Sequence, residues 1–295
     1  MIEYNTIILG AGISGISCAI YLKRAGIKTL IVENNVPGGQ LNKASVIENY
    51  PGYVSVNGSE LSAMLLEQVQ AYDVDMIYDE VNSIDYDNKI VTIAGAKYSY
   101  DSLVFATGRR EKLLGLDNED KLIGKGVSLC ATCDGALYKD QDVCVVGGGS
   151  SAVSEAMYLA RICNKVYLIY RGSALRSEEI LKDRIKEFSN IEIVYESVIA
   201  NYLTFDDKLS GVCLNNGIEL KVSAVFLAIG HVPNSELFIG NKMDGYIEID
   251  EYGETSLDNV YACGDVINKD IYQLVTASSE GVMVANSIIR RNQRK

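Results

Sequence analysis

Apolar and polar positions in the first 33 residues predict a strand, a helix and a second strand. An apolar run from Thr6 to Leu9 enters the glycine turn GAGISG, a helical periodicity continues to Leu22, and TLIV ends at Glu33. A strand that enters a helix through G-x-G-x-x-G, with an acid about 20 positions later, is typical of a dinucleotide-binding βαβ unit. Here the acid follows the first glycine by 33 − 10 = 23 positions. The sequence therefore predicts a nucleotide site near its start.

The same pattern recurs 137 residues later as VCVVGGGSSAVSEAMYLARICNKVYLIYR. Gly10 corresponds to Gly147 and Leu22 to Leu159. In each unit the free backbone N–H groups and the helix dipole favour a bound pyrophosphate. The alternative, that the glycines only make a tight corner between strand and helix, stays open and carries more weight for the second unit.

Further apolar runs indicate how the chain divides. SLVFATG (102–108) and AVFLAIGHVPN (224–234) each predict a buried strand that ends at a glycine, and VYACGDV precedes a helical pattern from about Gln273 to Arg290. We predict a first domain of residues 1–112 and 242–295, with a second of residues 116–240 inserted into it. The expected fold is α/β, with two Rossmann-like nucleotide-binding domains of three layers each (ββα).

Length and composition agree with two domains. A chain of 295 residues exceeds what one hydrophobic core usually fills, and 48% of it is apolar. The 39 acidic residues exceed the 27 basic ones, which argues against a nucleic-acid partner. Glu3 and three glycines make the first apolar stretch a poor signal sequence, and we expect no membrane span. Seven scattered cysteines predict reduced thiols and a cytoplasmic protein.

The segment LCATCDG (129–135) contains the one close pair of cysteines, Cys130 and Cys133. A zinc site needs further ligands, but His231 is the only histidine and no second C-x-x-C exists, so we expect no metal. A C-x-x-C near a nucleotide-binding unit indicates a redox dithiol. Asp134 follows directly, either as a proton carrier or as a helix-capping or turn residue, and both interpretations stay open.

Seven segments together resemble the low-molecular-weight bacterial thioredoxin reductases, a class of FAD-dependent pyridine nucleotide-disulfide oxidoreductases. They are GAGISG, GGQL (38–41), ENYPG (48–52), ATG (106–108), LCATCDG, GHVPN (230–234) and ACGDV (262–266). The resemblance covers nearly the whole chain and implies a homodimer. It also implies electron transfer from FAD to a Cys130–Cys133 disulfide and then to thioredoxin, with Cys133 facing the flavin and Cys130 attacking the partner.

The same resemblance implies a set of cofactor-binding residues. For FAD these are Gly10, Gly12, Ser14, Gly15, Glu33, Gly39, Gln40, Leu41, Asn49, Thr107, Gly108, Gly264, Asp265, Gln273 and Leu274. The first glycines and Glu33 would hold the ADP half, and Asp265 with Gln273 would close on the ribityl chain and ring. A candidate NADP-type site in the second unit comprises Gly147, Gly149, Ala152, Arg171 and Arg176.

The second unit departs from the family at the NADPH 2′-phosphate motif. NADPH-dependent members carry His-Arg-Arg-x-x-x-Arg, whereas this chain has YRGSALR, with Tyr170 and Gly172 replacing a histidine and an arginine. Each lost contact to a phosphate would weaken binding by about 1.5–3 kcal/mol. The loss makes NADPH doubtful and favours reduced ferredoxin, as in the ferredoxin-linked flavin thioredoxin reductases. The alternatives are a conventional NADPH-dependent reductase and a non-catalytic flavin redox sensor.

A second departure is Tyr272-Gln273-Leu274, where the family usually has Arg-Gln-Ala. We expect this change to remove a fixed positive charge near the flavin. Five basic residues offer a docking surface for an acidic ferredoxin, although they equally fit a solvated linker. They are Arg109, Arg110, Lys112, Lys121 and Lys125.

Overall fold

The computed structural model describes residues 1–44 and 47–293. Its strands are β1 Ile2–Leu9, β2 Thr29–Glu33, β3 Asp75–Tyr78, β4 Val81–Asp85, β5 Ile90–Ile93, β6 Ala96–Phe105, β7 Arg109–Glu111, β8 Val127–Ser128, β9 Asp142–Val146, β10 Lys165–Ile169, β11 Ile191–Val194, β12 Ile199–Phe205, β13 Lys208–Leu214, β14 Glu219–Leu220, β15 Ala224–Leu227, β16 His231–Pro233, β17 Lys242–Met243, β18 Tyr246–Ile247 and β19 Val260–Ala262. Its helices are α1 Ile13–Arg24, α2 Gly58–Ala71, α3 Glu119–Leu122, α4 Ala131–Asp134, α5 Ser150–Ala160, α6 Glu179–Arg184 and α7 Leu274–Gln293. Short 3₁₀ helices span Gly39–Lys43, Gly135–Tyr138, Ile185–Glu187 and Gly264–Val266.

The chain forms two compact units. The first comprises Met1–Arg110 and Val232–Lys295, and the second comprises Glu111–His231. The second unit therefore ends nine residues before the predicted boundary at 240. Residues after 231 belong to the first unit because Asn234 exchanges two hydrogen bonds with Thr107, of 2.6 and 2.8 Å, and because the Phe238 ring packs edge-on against Phe105.

The first unit is built on a mixed sheet with the strand order β3-β2-β1-β6-β5-β4, and β19 also pairs with β6. Strands β3, β2, β1, β6 and β19 pair in parallel, whereas β4, β5 and β6 form an antiparallel meander. Alternate residues of a strand face opposite sides. Ile8 therefore faces the α1 and α7 side, and Ile7 faces the core that contains Phe238 and Ile247.

The second unit has a five-stranded parallel sheet in the order β11-β10-β9-β15-β8. One face packs against α5 through Val153 and Ala156, and the other packs against the antiparallel strands β12 and β13 through Val212 and Leu214. This unit has the predicted order of layers, sheet on sheet on helix. The predicted α/β fold is confirmed.

Strand pairing reproduces the sequence repeat residue by residue. Leu9 pairs with Val32 in the first unit, and Val146 pairs with Ile169 in the second, so both members of the pair move by 137 positions. The equivalence therefore extends from the glycine turns to the ends of the strands. It places Tyr170 at the position that Glu33 holds in the first unit.

Within the described residues, no helix is both long and apolar enough to cross a membrane.

Candidate cofactor and redox sites

The first glycine turn packs tightly on one side and is open on the other. Gly10 has φ +108°, and a Cβ there would collide with the carbonyl oxygen of Ala106 at the end of β6. A Cβ at Gly15 would collide with the carbonyl oxygen of Gly10, whereas a Cβ at Gly12 would meet nothing within 4 Å. The backbone at Gly12 is therefore accessible to a ligand at the start of α1, where N–H groups favour an anion.

Glu33 lies beside this turn at the end of β2. Its Oε2 accepts a 2.7 Å hydrogen bond from the backbone N–H of Ala11, and its Oε1 accepts one of 2.9 Å from Asn35. The carboxylate is thus held at the mouth of the turn, the position expected of an acid that binds a ribose hydroxyl.

The GGQL segment lies against the same turn. The N–H of Gly38 donates to the carbonyl of Ala11 at 2.8 Å, and a Cβ at Gly39 would lie 3.6 Å from the Cα of Gly12. Gln40 donates from Nε2 to the carbonyl of Arg109 at 2.8 Å, and Leu41 is buried. Gly39 and Gln40 are therefore within the group that surrounds the glycine turn.

The later chain segments return to this group. Asn49 Nδ2 donates to Gln273 Oε1 at 3.0 Å, and a Cβ at Gly264 would collide with the Ser14 hydroxyl. Leu274 packs in the small apolar cluster that contains Leu41. Gly108 has φ +64° and open space around its Cα. The residues that the sequence assigned to FAD therefore all lie in the first unit, where Asn49 contacts Gln273, Ser14 lies against Gly264, and Leu41 shares a cluster with Leu274.

Asp265 is held between two cations. Its Oδ1 lies 3.3 Å from Lys269 Nζ, and its Oδ2 lies 3.1 Å from Arg109 Nε, although that N–H does not point along the line to the oxygen. Lys269 also pairs with Glu280 at 2.8 Å, and Glu280 accepts the N–H of Gly264 at 2.9 Å. Burial raises the pKa of Glu280, and Lys269 opposes that shift.

Sequence reasoning missed three residues of this cluster as members of the site. Arg109 was assigned to a docking surface, and Lys269 and Glu280 carried no motif. The spacing of Asp265 and Lys269, four residues apart across a 3₁₀ turn, was a local signal that could have found the lysine. The contact of Arg109 with Asp265 spans 156 positions, and no periodicity predicts it.

The donor and acceptor set of the first unit fits FAD. The open backbone at Gly12 offers N–H groups without a side chain in the way, as a pyrophosphate requires. Glu33 offers a carboxylate beside it, and Gln40 and Asn49 offer amides for a polar ring edge.

In the second unit, Cys130 and Cys133 form a disulfide with Cα atoms 5.3 Å apart. Cys130 caps the N-terminus of the short helix α4, and the N–H of Cys133 donates to its Sγ at 3.2 Å. Cys130 is half-buried and Cys133 is exposed. A sulfur at a helix N-terminus that accepts an N–H is favoured as a thiolate, which is the reactive form.

Asp134 accepts a 2.7 Å hydrogen bond from the Ser128 hydroxyl, and that hydroxyl also accepts the N–H of Cys130 at 3.1 Å. The Asp134 side chain does not cap the 3₁₀ helix that follows. The residue that caps α4 is Cys130, so the helix-capping interpretation of Asp134 is not supported.

Five further cysteines are free thiols. Cys18, Cys144, Cys163 and Cys263 are buried, and Cys213 is half-buried. Burial raises the pKa of Cys263 to about 12 and that of Cys163 to about 11, so neither is a ready nucleophile. Among residues 1–44 and 47–293, no group of three or more His, Cys, Asp or Glu side chains could hold a metal ion.

The second glycine turn repeats the geometry of the first. Gly147 has φ +145°, and a Cβ there would collide with the carbonyl oxygen of Ala228. A Cβ at Gly149 would meet nothing within 4 Å, and Ala152 is fully buried at the third position. The backbone N–H of Arg176 donates to the carbonyl of Gly148 at 2.7 Å, which places Arg176 beside this turn.

Tyr170 occupies the position where the first unit has a carboxylate. A Cβ at Gly148 would collide with one edge of its ring, and a Cβ at Gly172 would lie 2.7 Å from Cε1 on the other edge. The ring is therefore packed between the two glycines and is only 8% exposed. Arg171 and Arg176 are exposed.

The sequence matches the family described as pyridine nucleotide-disulphide oxidoreductases over residues 4–281, and the chain belongs to that family. A thioredoxin reductase of Listeria monocytogenes is 35% identical over 288 residues, which are 94% of this chain and 90% of that protein. The predicted resemblance is confirmed.

Solved structures agree with this assignment. Thioredoxin reductase of Lactococcus lactis matches with a TM-score of 0.88 and 32% identity, over 99% of this chain and all of that one. A ferredoxin-flavin thioredoxin reductase of Clostridium acetobutylicum matches with a TM-score of 0.56 and 29% identity, over 99% of both chains.

Proposed function

We propose that this protein is an FAD-dependent reductase that passes electrons through Cys130 and Cys133 to the disulfide of thioredoxin. The observation that carries the proposal is the Cys130–Cys133 disulfide, which lies at the N-terminus of a short helix, with Cys130 half-buried and Cys133 exposed. Membership of the disulphide oxidoreductase family and several relatives described as thioredoxin reductases support the same activity.

The first unit supplies the FAD site. Gly10, Gly12 and Gly15 would receive the pyrophosphate at the start of α1, and Glu33 would bind the adenosine ribose. Gln40 and Asn49 would lie on the flavin side, and Asp265 with Gln273 would contact the ribityl chain and ring. FAD, when bound, supplies the two electrons that reduce the disulfide.

The dithiol then exchanges with the partner. The Cys130 thiolate, stabilised by the N–H of Cys133, attacks one sulfur of the thioredoxin disulfide and forms a mixed disulfide. The Cys133 thiolate attacks Cys130 Sγ, which re-forms the internal disulfide and releases reduced thioredoxin. Two electrons and two protons pass to the partner, and Asp134, which accepts the Ser128 hydroxyl, would carry a proton.

We propose reduced ferredoxin as the electron donor. The 2′-phosphate motif lacks the arginine at Gly172, and the Tyr170 ring packs where a ribose-binding carboxylate would stand. The missing arginine disfavours NADPH, and the absence of a carboxylate at position 170 disfavours NADH. Two reduced ferredoxins, each giving one electron, would replace one hydride. The similarity to a ferredoxin-flavin thioredoxin reductase is consistent with this donor.

Two of the five basic residues proposed to dock ferredoxin form ion pairs with acidic residues of this chain. Arg110 pairs with Glu236 at 2.6 Å, and Arg109 lies against Asp265. The basic residues that remain candidates for docking are Lys112, Lys121 and Lys125.

NADPH is the second candidate donor, and one observation favours it. The second glycine turn keeps the open backbone at Gly149 and the packing at Gly147 that the first turn has. Arg176 donates its backbone N–H to Gly148 of this turn at 2.7 Å, and both Arg176 and Arg171 are exposed. A phosphate would still find N–H groups and positive charge there.

One anaerobic experiment distinguishes the donors. The purified flavoprotein is mixed in turn with NADPH, NADH and reduced ferredoxin, and the oxidised flavin band is followed. Ferredoxin alone should bleach the band within the mixing time, and thioredoxin should then restore it. Bleaching by NADPH at a comparable rate would overturn the ferredoxin proposal. A protein that contains no flavin would overturn the FAD proposal itself. The homodimer stays a prediction, which light scattering would test.

A further inference from the structure

The sequence predicts the loss of a positive charge at position 272, because the family usually has an arginine there and this chain has a tyrosine. In the structure, the guanidinium of another residue, Arg109, lies over the Tyr272 ring. The Cζ atom of Arg109 lies 4.1 Å from the centroid of the Tyr272 ring, which is a cation–π contact. Arg109 reaches it from the segment that follows β6, and its own carbonyl accepts Gln40. A positive charge therefore lies beside Tyr272, although the residue at position 272 carries none itself.

The Arg109 side chain is restrained by two neighbours and is mostly buried. Tyr272 covers the plane of its guanidinium, Asp265 lies 3.1 Å from its Nε, and the side chain is only 20% exposed. The Tyr272 ring is itself held by Tyr246, with ring centroids 5.7 Å apart, and by Lys269, whose Nζ lies 5.4 Å from its centroid. A side chain restrained in this way carries a charge at a fixed position.

Arg109 balances the charge of the acidic residues around it. Arg109 and Lys269 offset Asp265 and Glu280, so the four groups sum to zero. Removal of Arg109 leaves the group with a net charge of −1. A negative environment disfavours the addition of electrons to any cofactor beside it, and a positive charge favours the reduced form.

We propose that Arg109, stacked on Tyr272, is a positioning residue that holds positive charge beside the flavin and raises its reduction potential. The inference rests on the proposed FAD site, since Asp265 and Gln273 are among the residues assigned to the flavin. Tyr272 keeps the guanidinium in place and carries no charge of its own. The residue thus sets how readily the cofactor accepts electrons from a donor.

The test is the flavin potential of purified holoenzymes, measured against a reference dye of known potential. Arg109→Met should lower the ratio of reduced to oxidised flavin at a fixed potential at least tenfold, which is about 30 mV for a two-electron couple. Arg109→Lys keeps the charge and should stay within threefold of the wild type. Tyr272→Leu keeps every charge but removes the platform, and should shift the ratio at least threefold in the same direction.

Arg110→Met is the matched control, because it removes the same charge one residue along, at an exposed site paired with Glu236. Its ratio should stay within twofold of the wild type. An equal shift in Arg110→Met, or unchanged ratios in both Arg109→Met and Tyr272→Leu, would overturn the proposal. These results differ from a failure of the FAD site, in which the wild-type protein itself would bind no flavin.

Discussion

The ring of Tyr170 packs against the backbone of Gly172, so that a Cβ at position 172 would come within 2.7 Å of the ring atom Cε1. That distance is too short for two carbon atoms in contact. The two departures from the NADPH motif are therefore coupled in space. An arginine at position 172 requires a smaller ring, or a displaced ring, at position 170.

This coupling predicts a non-additive gain of NADPH binding. The double variant Tyr170→His/Gly172→Arg should lower the KM for NADPH at least about tenfold, because one charge-assisted contact to a phosphate is restored. Gly172→Arg alone should gain less than half of that change in free energy, since the tyrosine ring occupies the space. Anaerobic flavin reduction at varied NADPH concentrations measures both.

Tyr170→His alone serves as the control and should change the KM by less than threefold. If Gly172→Arg alone gave the full gain, the ring would not obstruct position 172. If the double variant gained nothing, the second glycine turn would not be a nucleotide site.

The redox pair gives a second prediction. Cys130→Ser and Cys133→Ser should each abolish thioredoxin reduction while the flavin content stays unchanged, because the residues assigned to FAD lie in the first unit and the cysteines in the second. Turnover with thioredoxin and the flavin absorbance per chain are the measurements. Cys213→Ser, a free half-buried thiol of the same unit, is the matched control and should keep full turnover. Normal activity in either first variant would contradict the mechanism.

Local patterns predicted the fold well because the βαβ units are encoded by neighbouring residues. The glycine turns, the buried strands and the repeat of 137 positions all follow from short-range periodicity. The end of the second unit was harder to place. The segment after His231 joins the first unit through contacts of Asn234 with Thr107 and of Phe238 with Phe105, and such contacts over more than 120 positions leave no local signal.

The candidate site likewise contains residues that the sequence predicted and contacts that it did not. Residues in motifs, such as Gly12, Glu33 and Cys130, could be assigned from the sequence. The stacking of Arg109 on Tyr272 could not, because the two lie 163 positions apart and neither belongs to a motif that requires the other. The tyrosine at position 272, in place of an arginine, did not reveal that Arg109 supplies a positive charge at the same place.

A buried carboxylate gives a prediction about stability. Glu119 is 3% exposed and accepts hydrogen bonds from the backbone N–H groups of Leu114 and Gly115 and from the Tyr202 hydroxyl, the last at 2.6 Å. Tyr202→Phe should destabilise the second unit by about 1.5–3 kcal/mol, since it removes a hydrogen bond to a charged group. Hydrogen exchange of the Gly115 amide should accelerate accordingly.

Tyr195→Phe, at an exposed tyrosine of the same unit, is the control and should leave this exchange rate unchanged. Equal protection of Gly115 in Tyr202→Phe and in the wild type would mean that the hydroxyl does not stabilise Glu119.

Glu155 on α5 makes stability depend on pH. Burial, and secondarily the nearby Glu111, raise the pKa of Glu155 from 4.5 to about 7, and its Oε2 accepts no hydrogen bond among the described residues. Below about pH 4.5 the carboxyl is protonated in both the folded and the unfolded state. Between pH 4.5 and 7 it ionises only in the unfolded state, so the free energy of unfolding falls as pH rises.

Glu155→Gln should remove this fall. The shift of 7 − 4.5 = 2.5 units corresponds to about 3 kcal/mol, so the variant should be more stable than the wild type above pH 7 and nearly equal to it at pH 4.5. Thermal midpoints of both proteins at pH 4.5 and pH 8 measure the difference. Glu187→Gln, at an exposed carboxyl of the same unit, should show no such dependence. A difference between variant and wild type that is the same at both pH values would mean that Glu155 ionises normally in the folded protein.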